Sequence, residues 1–225
     1  MSAVNDKDIE IVVESLKTNR FDPAEFVERA DAAVKMVFDM IPPEARVGMG
    51  DSMTLRQIGI IDELRRRGNI VRSQSDVFLT SSNAVTLDGK LVNIDMTGNR
   101  VSSMIYGPKR VIVIAGMNKI VPGVDEAIHR IKNVIAPYHA RTAGAKTPCA
   151  VDGYCTDCKS PGRICSVTTI IEKKPRVTDL AVIIVGEDLG LGWDPDWPEE
   201  RRKKIASAYE VEMEKRRAAF RPSQG

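Results

Sequence analysis

All four cysteines of this chain lie in one short segment, CAVDGYCTDCKSPGRIC, at residues 149–165. Two residues separate Cys155 from Cys158, which is the spacing of chelating pairs in zinc and iron–sulfur sites. With Cys149 and Cys165 they offer four thiolates, a set that suits a tetrahedral divalent metal or an iron–sulfur cluster equally well. The alternatives are a redox-active dithiol formed by the central pair, or thiols that only pack.

A second set of residues is typical of an anion site. Gly48, Gly50, Asp51, Ser52 and Thr54 fall in GMGDSMT, between an expected strand and an expected helix. Glycines allow a tight turn and a close approach of the backbone, and the first amides of a helix favour an anion. The alternative is a plain tight turn in which an Asp or Ser side chain caps the helix.

Small polar side chains also follow two later strands, and they predict further contacts at the same edge of a sheet. Arg100 is suited to hold a carboxylate or phosphate, and Lys119 would neutralise charge nearby. The alternatives are hairpin turn chemistry with an Arg–Asp pair, and a solvent-exposed loop lysine. His139, near the cysteine segment, is a further candidate metal ligand. The polar residues of this cluster are Ser81, Ser82, Asn83, Thr86, Asp95, Thr97, Asn99 and Arg100.

Composition and charge limit the classes of partner. The chain has 33 basic and 31 acidic residues and a net charge of +2, which gives no reason to invoke nucleic acid. The N-terminal residues MSAVNDKDIEIVVESLK carry charges where a signal peptide needs an apolar core, and the longest apolar runs are strand-sized. We therefore expect a cytoplasmic protein without a membrane span, whose thiols stay reduced rather than forming structural disulfides.

The elements that must position these residues alternate between strand and helix. Apolar spacing predicts a helix over 5–18, a second from Asp22 to about Met40, and a charged helix from Glu199 onward that is solvated or at a dimer edge. Strands are expected at ARV, NIV, DVFLTSS, LVNID, RVIVIAG, VTTIIEK and DLAVIIVG. This pattern indicates an α/β fold with a mostly parallel sheet flanked by helices. The one irregularity is GNIVRSQSDVFLT, which passes from strand to strand without room for a helix.

Four stretches together resemble the LUD (lactate-utilisation) domain family. They are VGMGDSMTLRQIGIIDELRRRGN, FLTSSNAVTLDGKLVNIDMTGNRVSSMIYGPKRVIVIAGMNKIV, CTDCKSPGRICSVTTIIEKKP and VIIVGEDLGLGWDP, and the resemblance runs from about residue 5 to 197. It implies a Rossmann-like sheet similar to that of ribose-5-phosphate isomerases and CoA-transferases, with ligands bound at the carboxyl ends of the strands. Family members commonly carry a longer segment where this chain has only VRSQSD.

The resemblance also implies a role around the oxidation of lactate to pyruvate, in which LUD proteins act with iron–sulfur partners. It favours an anion site that joins the glycine turn to Asn83 and Arg100, and a cluster over zinc at the cysteines. The leading hypothesis is a dimeric redox component of organic-acid metabolism that binds a small carboxylate or phosphate ligand. We expect a single LUD-type domain over 1–225, with N-terminal helices (1–44), an α/β core (45–197) and the charged helix (198–225).

Two other classes stay open. The isomerase relatives use a glutamate base, whereas the stretch VNIDMTGNR of this chain offers Asp95 instead. A non-redox isomerase or acyl/CoA-transferase-like enzyme, with a structural zinc or no metal, is therefore one alternative. A non-catalytic subunit that docks a partner through the cysteine loop is the other.

Overall fold

The strands of this protein form two sheets. A computed structural model describes residues 4–72 and 74–220. The strands are β1 (Ala24–Val27), β2 (Val47–Met49), β3 (Val77–Thr80), β4 (Ala84–Thr86), β5 (Leu91–Asp95), β6 (Arg110–Gly116), β7 (Ile120–Val121), β8 (Val167–Ile171) and β9 (Asp179–Val185). The first sheet is parallel with the order β1-β9-β6-β3-β2, and the second has the order β7-β4-β5-β8.

Helices cover the sheets and join their strands. They are α1 (Asp6–Thr18), α2 (Ala30–Met40), α3 (Met53–Gln57), α4 (Ile60–Arg67), α5 (Asn99–Ile105), α6 (Val124–Arg130), α7 (Ala136–Ala143), α8 (Pro148–Asp152) and α9 (Glu199–Phe220). A 3-10 turn spans Met117–Lys119, and a π-helical stretch, Ile131–Ile135, joins α6 to α7. None of the helices formed by the described residues combines the length and apolar character that crossing a membrane requires.

The two central strands of the parallel sheet explain how the core is divided. In β6 and β9 successive apolar side chains point to opposite faces, so both faces of this sheet are buried. One face packs on α1 and on the second sheet, and the other packs on α2, α3 and α4. The expected α/β fold with a mostly parallel, helix-flanked sheet is thereby confirmed, and β5 and β6 coincide with the predicted LVNID and RVIVIAG.

The second sheet was not predicted as a separate unit. β4 and β8 are both antiparallel to β5, and β7 is parallel to β4. Its far face packs against α6, the π-helical stretch and α9. This sheet therefore brings the residues after β5 to the same side of the molecule as the ends of β2, β3 and β6.

The helix predicted from Asp22 to Met40 is wrong in its first eight residues. Residues Ala24–Val27 form β1, which pairs in parallel with β9, and α2 begins only at Ala30. The reason is a non-local one: Asp22 donates its N–H to the carbonyl of Leu180, so this backbone extends the sheet instead of starting a helix. The segment 1–44 thus contributes an edge strand as well as helices.

The irregularity at 69–77 has a simple cause. Of the predicted NIV strand, only Ile70 makes an isolated bridge, to Val47. Consecutive parallel strands β2 and β3 are joined through α3 and α4, so the alternation of strand and helix is not broken. Ser73, inside this segment, lies outside the described residues.

Helix α9 begins where it was predicted, at Glu199, but it is not simply solvated. Ile205, Tyr209 and Met213 are buried, and their spacing of four residues places them on one face. This face packs in the core beside Ile131 and Ile135, and the helix contacts α3 and α7. The predicted residues 221–225 of this segment lie outside the described part of the chain.

Candidate functional site

Several strand ends meet around one cavity of about 410 Å³. It is bordered by residues that follow β2, β3, β6 and β9 of the parallel sheet and β5 of the second sheet. This is the edge at which open parallel sheets bind ligands. Of the residues predicted for the anion site, those that line the cavity are Asp51, Ser52, Thr54, Ser81, Asn83, Asp95, Thr97, Asn99, Arg100 and Lys119.

Lys119 is buried in the wall of this cavity, with 5% of its surface exposed. Its Nζ donates to Thr54 Oγ1 at 2.9 Å and to Ser81 Oγ at 2.7 Å. In the part of the chain that the structure describes, no carboxylate pairs with it. Burial, helped by the positive charge of Arg100, lowers the pKa of Lys119 to about 7. The interpretation of Lys119 as an exposed loop lysine is therefore wrong.

The loop after β9 covers Lys119 through a glycine. Gly190 has a φ of +69°, and its N–H donates to Gln57 Oε1 at 2.6 Å. A Cβ at this position would lie 2.6 Å from Thr54 Oγ1 and 3.0 Å from Lys119 Nζ. Glycine is thus required twice, by the left-handed backbone and by the close approach to the lysine.

Arg100 is fixed at the cavity wall by the end of β5. Its Nε donates to Asp95 Oδ1 at 2.9 Å, and its Nη2 donates to Asn83 Oδ1 and to the carbonyl of Ile94, both at 3.0 Å. Nη2 also contacts Asp95 Oδ1. The Arg–Asp pair that the sequence left as an alternative is present, and it holds the guanidinium in one orientation beside the cavity.

Asp51 and Ser52 make structural bonds at the same rim. Asp51 pairs with Arg216 of α9 at 2.7 Å and lies 3.6 Å from Arg56. Ser52 caps α3, because its Oγ accepts the N–H of Leu55 at 3.3 Å. The capping role that the sequence offered for this turn is therefore present, and the Asp51–Arg216 pair ties the C-terminal helix to the cavity rim.

His139 and Tyr209 also line the cavity, and sequence reasoning did not assign them there. The ring Nδ1 of His139 contacts the Tyr209 hydroxyl. Burial lowers the pKa of His139 and raises the pKa of Tyr209 to about 12. At neutral pH the imidazole is therefore uncharged and the phenol keeps its proton. The signal for Tyr209 was its place on the apolar face of α9.

A buried polar group holds the covering loop in place. The fully buried Asn118 accepts the N–H of Leu189 at 2.9 Å and donates to the carbonyl of Gly192 at 3.0 Å. Arg130, also buried, donates to the carbonyl of Asn118 at 3.3 Å and lies 3.5 Å from Asp194. These bonds fasten the loop that carries Gly190 to the turn that carries Lys119. Arg130 was not recognised because it falls among basic residues in a helix sequence.

Four residues predicted for the anion site, Gly48, Gly50, Ser82 and Thr86, do not line the cavity. Ser82 is fully buried and donates to a backbone carbonyl at 2.7 Å. A Cβ on Gly48 would lie 2.7 Å from Ser75 Oγ, and one on Gly50 would lie 2.9 Å from Thr80 Oγ1. These glycines therefore allow close packing around β2. Gly48 instead borders an open depression of about 830 Å³ beside this edge strand.

The cysteine segment borders the cavity at one end. Cys165 lines it, whereas Cys149, Cys155 and Cys158 are not among the lining residues. All four thiols are free and half-buried. Arg163 shapes the loop by donating to the carbonyls of Cys158 at 2.7 Å and Cys165 at 3.0 Å. Within the described residues, no three His, Cys, Asp or Glu side chains gather closely enough to hold a metal ion.

Comparison with known proteins connects this cavity to one family. The family model described as the LUD domain matches residues 71–185, about half of the chain. The match includes the strand ends that carry Asn83, Arg100 and Lys119, and the whole cysteine segment. A similar solved structure is that of a DUF162 family protein from Deinococcus radiodurans, with 17% identity and a TM-score of 0.45. The alignment covers 79% of this chain and 98% of that chain. A search of curated proteins found no match.

Proposed function

This chain belongs to the LUD domain family, and we propose that it binds a small organic acid, or a phosphate of similar size, in the cavity at its strand ends. The observation that carries this proposal is Lys119, a buried amine that faces the cavity without a carboxylate partner among the described residues. A buried ammonium is stable only when an anion compensates it. A bound carboxylate would supply that compensation.

The charges around the cavity favour one negative charge on the ligand. Its lining includes three basic side chains, Arg100, Lys119 and Arg216, against two carboxylates, Asp51 and Asp95. Both carboxylates already pair with arginines. When Lys119 is protonated the wall therefore carries one uncompensated positive charge. A monocarboxylate neutralises it, and the hydroxyls of the site are available to orient the ligand oxygens.

Family membership supports organic-acid metabolism as the setting, because the LUD family is linked to lactate utilisation. Oxidation of lactate to pyruvate releases two electrons and two protons, which must pass to an acceptor. Cys149, Cys155, Cys158 and Cys165 are the residues that would hold an iron–sulfur cluster, which would carry electrons one at a time to an iron–sulfur protein partner. The four thiols do not converge in the described conformation, so binding would require the segment 149–165 to close around the cluster.

Ligand-dependent thermal stability tests the binding function. We expect L-lactate or pyruvate to raise the melting temperature saturably, by roughly 5 to 10 °C at a hundredfold excess over Kd. Lys119→Met should abolish this shift. Lys35→Met, which changes a lysine with an 80% exposed side chain, should keep it. No shift with any monocarboxylate or phosphate, or an equal shift in both variants, would contradict the proposal.

Metal analysis tests the cluster separately. We expect protein purified without oxygen to contain iron and acid-labile sulfide in near-equal amounts, and to lose both when Cys155 and Cys158 are replaced by serine. One zinc per chain would indicate that the segment is a structural zinc site. Protein that contains neither iron nor zinc would rule out the proposed cluster.

The non-redox alternative has less support. The isomerase relatives use a glutamate base, and among the described residues that line the cavity there is no glutamate. Asp95, the carboxylate that the sequence offers instead, is engaged by Arg100 and by the N–H of Val101. Stabilisation by sugar phosphates or CoA esters, with no response to monocarboxylates, would restore this alternative.

A further inference from the structure

The surroundings of Lys119 are suited to a nucleophile as well as to a charge. Its only hydrogen bonds within the described residues go to two neutral hydroxyls, those of Thr54 and Ser81. The covering loop, with Gly190 in contact, limits the access of water from one side. Lysine amines in desolvated positions near another cation react with carbonyl groups, because their neutral form persists at neutral pH. Arg100 supplies that cation.

The other wall of the cavity indicates which carbonyl compounds would fit. Ile131, Ile135 and Leu191 form an apolar surface within the same cavity as Lys119 and Arg100. A ligand with a carboxylate, an adjacent carbonyl carbon and a short aliphatic chain would match the guanidinium, the amine and the apolar wall respectively. Small 2-oxo acids have this arrangement.

We propose that Lys119 forms a Schiff base with the carbonyl carbon of a small 2-oxo acid held in this cavity, an inference that rests on the proposed function. The neutral amine adds its lone pair to the carbonyl carbon, and the carbonyl oxygen takes up a proton. The resulting carbinolamine loses that oxygen as water and becomes an imine. Amine and ketone thus give imine and water, without an oxidant or a reductant.

The Thr54 hydroxyl is suited to the proton transfers that this step needs. It accepts a hydrogen bond from Nζ and can donate its own proton, so it can relay the amine proton to the departing oxygen, whereas the Ser81 hydroxyl donates to the carbonyl of Ser82 at 3.3 Å. The lowered pKa of Lys119, about 7 before a ligand binds, supports the step because about half of the amine is then neutral at pH 7. A lysine with an ordinary pKa of 10.5 would be almost wholly protonated there.

Borohydride trapping tests this inference. The full-length protein is incubated with pyruvate or 4-methyl-2-oxopentanoate, reduced with sodium borohydride, and analysed by intact mass and peptide mapping. We expect one reduced ligand per chain, located on Lys119, with the yield falling at least tenfold when excess L-lactate competes. Lys119→Arg keeps the charge and cannot form an imine, so it should give no adduct. Lys35→Arg should react as the wild type does.

The possible results separate the two proposals. No adduct in a protein that lactate and pyruvate still stabilise overturns the Schiff base and leaves the binding function intact. No adduct and no stabilisation overturns both. Adducts spread over exposed lysines, or equal in Lys119→Arg, also overturn the Schiff base. If Lys119→Arg does not fold, the peptide map of the wild type and the competition by lactate decide the question.

Discussion

Replacing Lys119 by methionine should change how the stability of the protein depends on pH. The amine has a pKa of 10.5 in the unfolded chain and about 7 in the folded protein. Between these values the unfolded state binds more protons, so the free energy of unfolding rises with pH across this window. Below pH 7 the amine is protonated in both states, and the whole cost of burying the charge is present.

The size of this effect follows from the shift. At about 1.4 kcal/mol per pH unit, displacement from 10.5 to about 7 corresponds to on the order of 5 kcal/mol over the full window. Between pH 6.5 and 9.5 the wild type should therefore gain roughly 3 kcal/mol that Lys119→Met does not gain. Costs that do not depend on pH, such as altered packing beside Thr54, cancel in this comparison.

Urea unfolding at a series of pH values measures the difference directly. Lys35→Met is the matched control, because the same substitution there removes an 80% exposed side chain. We expect the control to follow the wild-type pH dependence and Lys119→Met to be flatter. Parallel curves for the wild type and Lys119→Met would refute the reasoning, since they would mean that Lys119 stays protonated in the folded protein throughout the window.

Two further substitutions test the parts of the fold that enclose the cavity. Gly190→Ala should lower the free energy of unfolding by about 1 kcal/mol more than Gly59→Ala does. Both glycines have left-handed backbones, but of the two only Gly190 would place the new Cβ within 4 Å of other atoms, including those of Lys119. Thermal unfolding of both variants checks this, and equal costs would contradict the close approach. Met213→Ala should lower the free energy of unfolding by about 2 to 4 kcal/mol, because Met213 is buried. Val211 is 49% exposed on the same helix, so Val211→Ala should lower it by less than about 0.5 kcal/mol. If denaturant titrations gave the same loss of unfolding free energy for Met213→Ala and Val211→Ala, α9 would not pack against the core as described.

The strands that the sequence predicted well are those whose signal is local. The apolar runs of β6 and β9 fill both faces of the parallel sheet, so they read as buried strands without further information. The region 22–29 is the opposite case. Its Asp, Pro and Glu residues imitate a helix start, whereas its actual conformation is set by pairing with β9, more than 150 residues away.

The candidate site was predictable in position but not in chemistry. Parallel strands end at one edge, so polar residues after β2, β3 and β6 were expected to lie near one another, and the second sheet adds those after β5. The burial of Lys119 depends on a distant loop that only a glycine allows to come close. The contact of His139 with Tyr209 likewise joins residues 70 positions apart. No local pattern specifies either contact, although the spacing of Ile205, Tyr209 and Met213 is a local signal for the buried face of α9 that was not recognised.

Calorimetric titration of L-lactate at pH 7, in two buffers with different enthalpies of ionisation, tests the central claim most directly. An anion bound beside Lys119 raises the pKa of the amine, so binding should take up about half a proton per lactate. Lactate has no carbonyl group, so a Schiff base does not contribute to the signal. We expect this proton uptake in the wild type and its loss in Lys119→Met. Binding without proton uptake, or with the same uptake in both proteins, would contradict the claim that the ligand binds against Lys119.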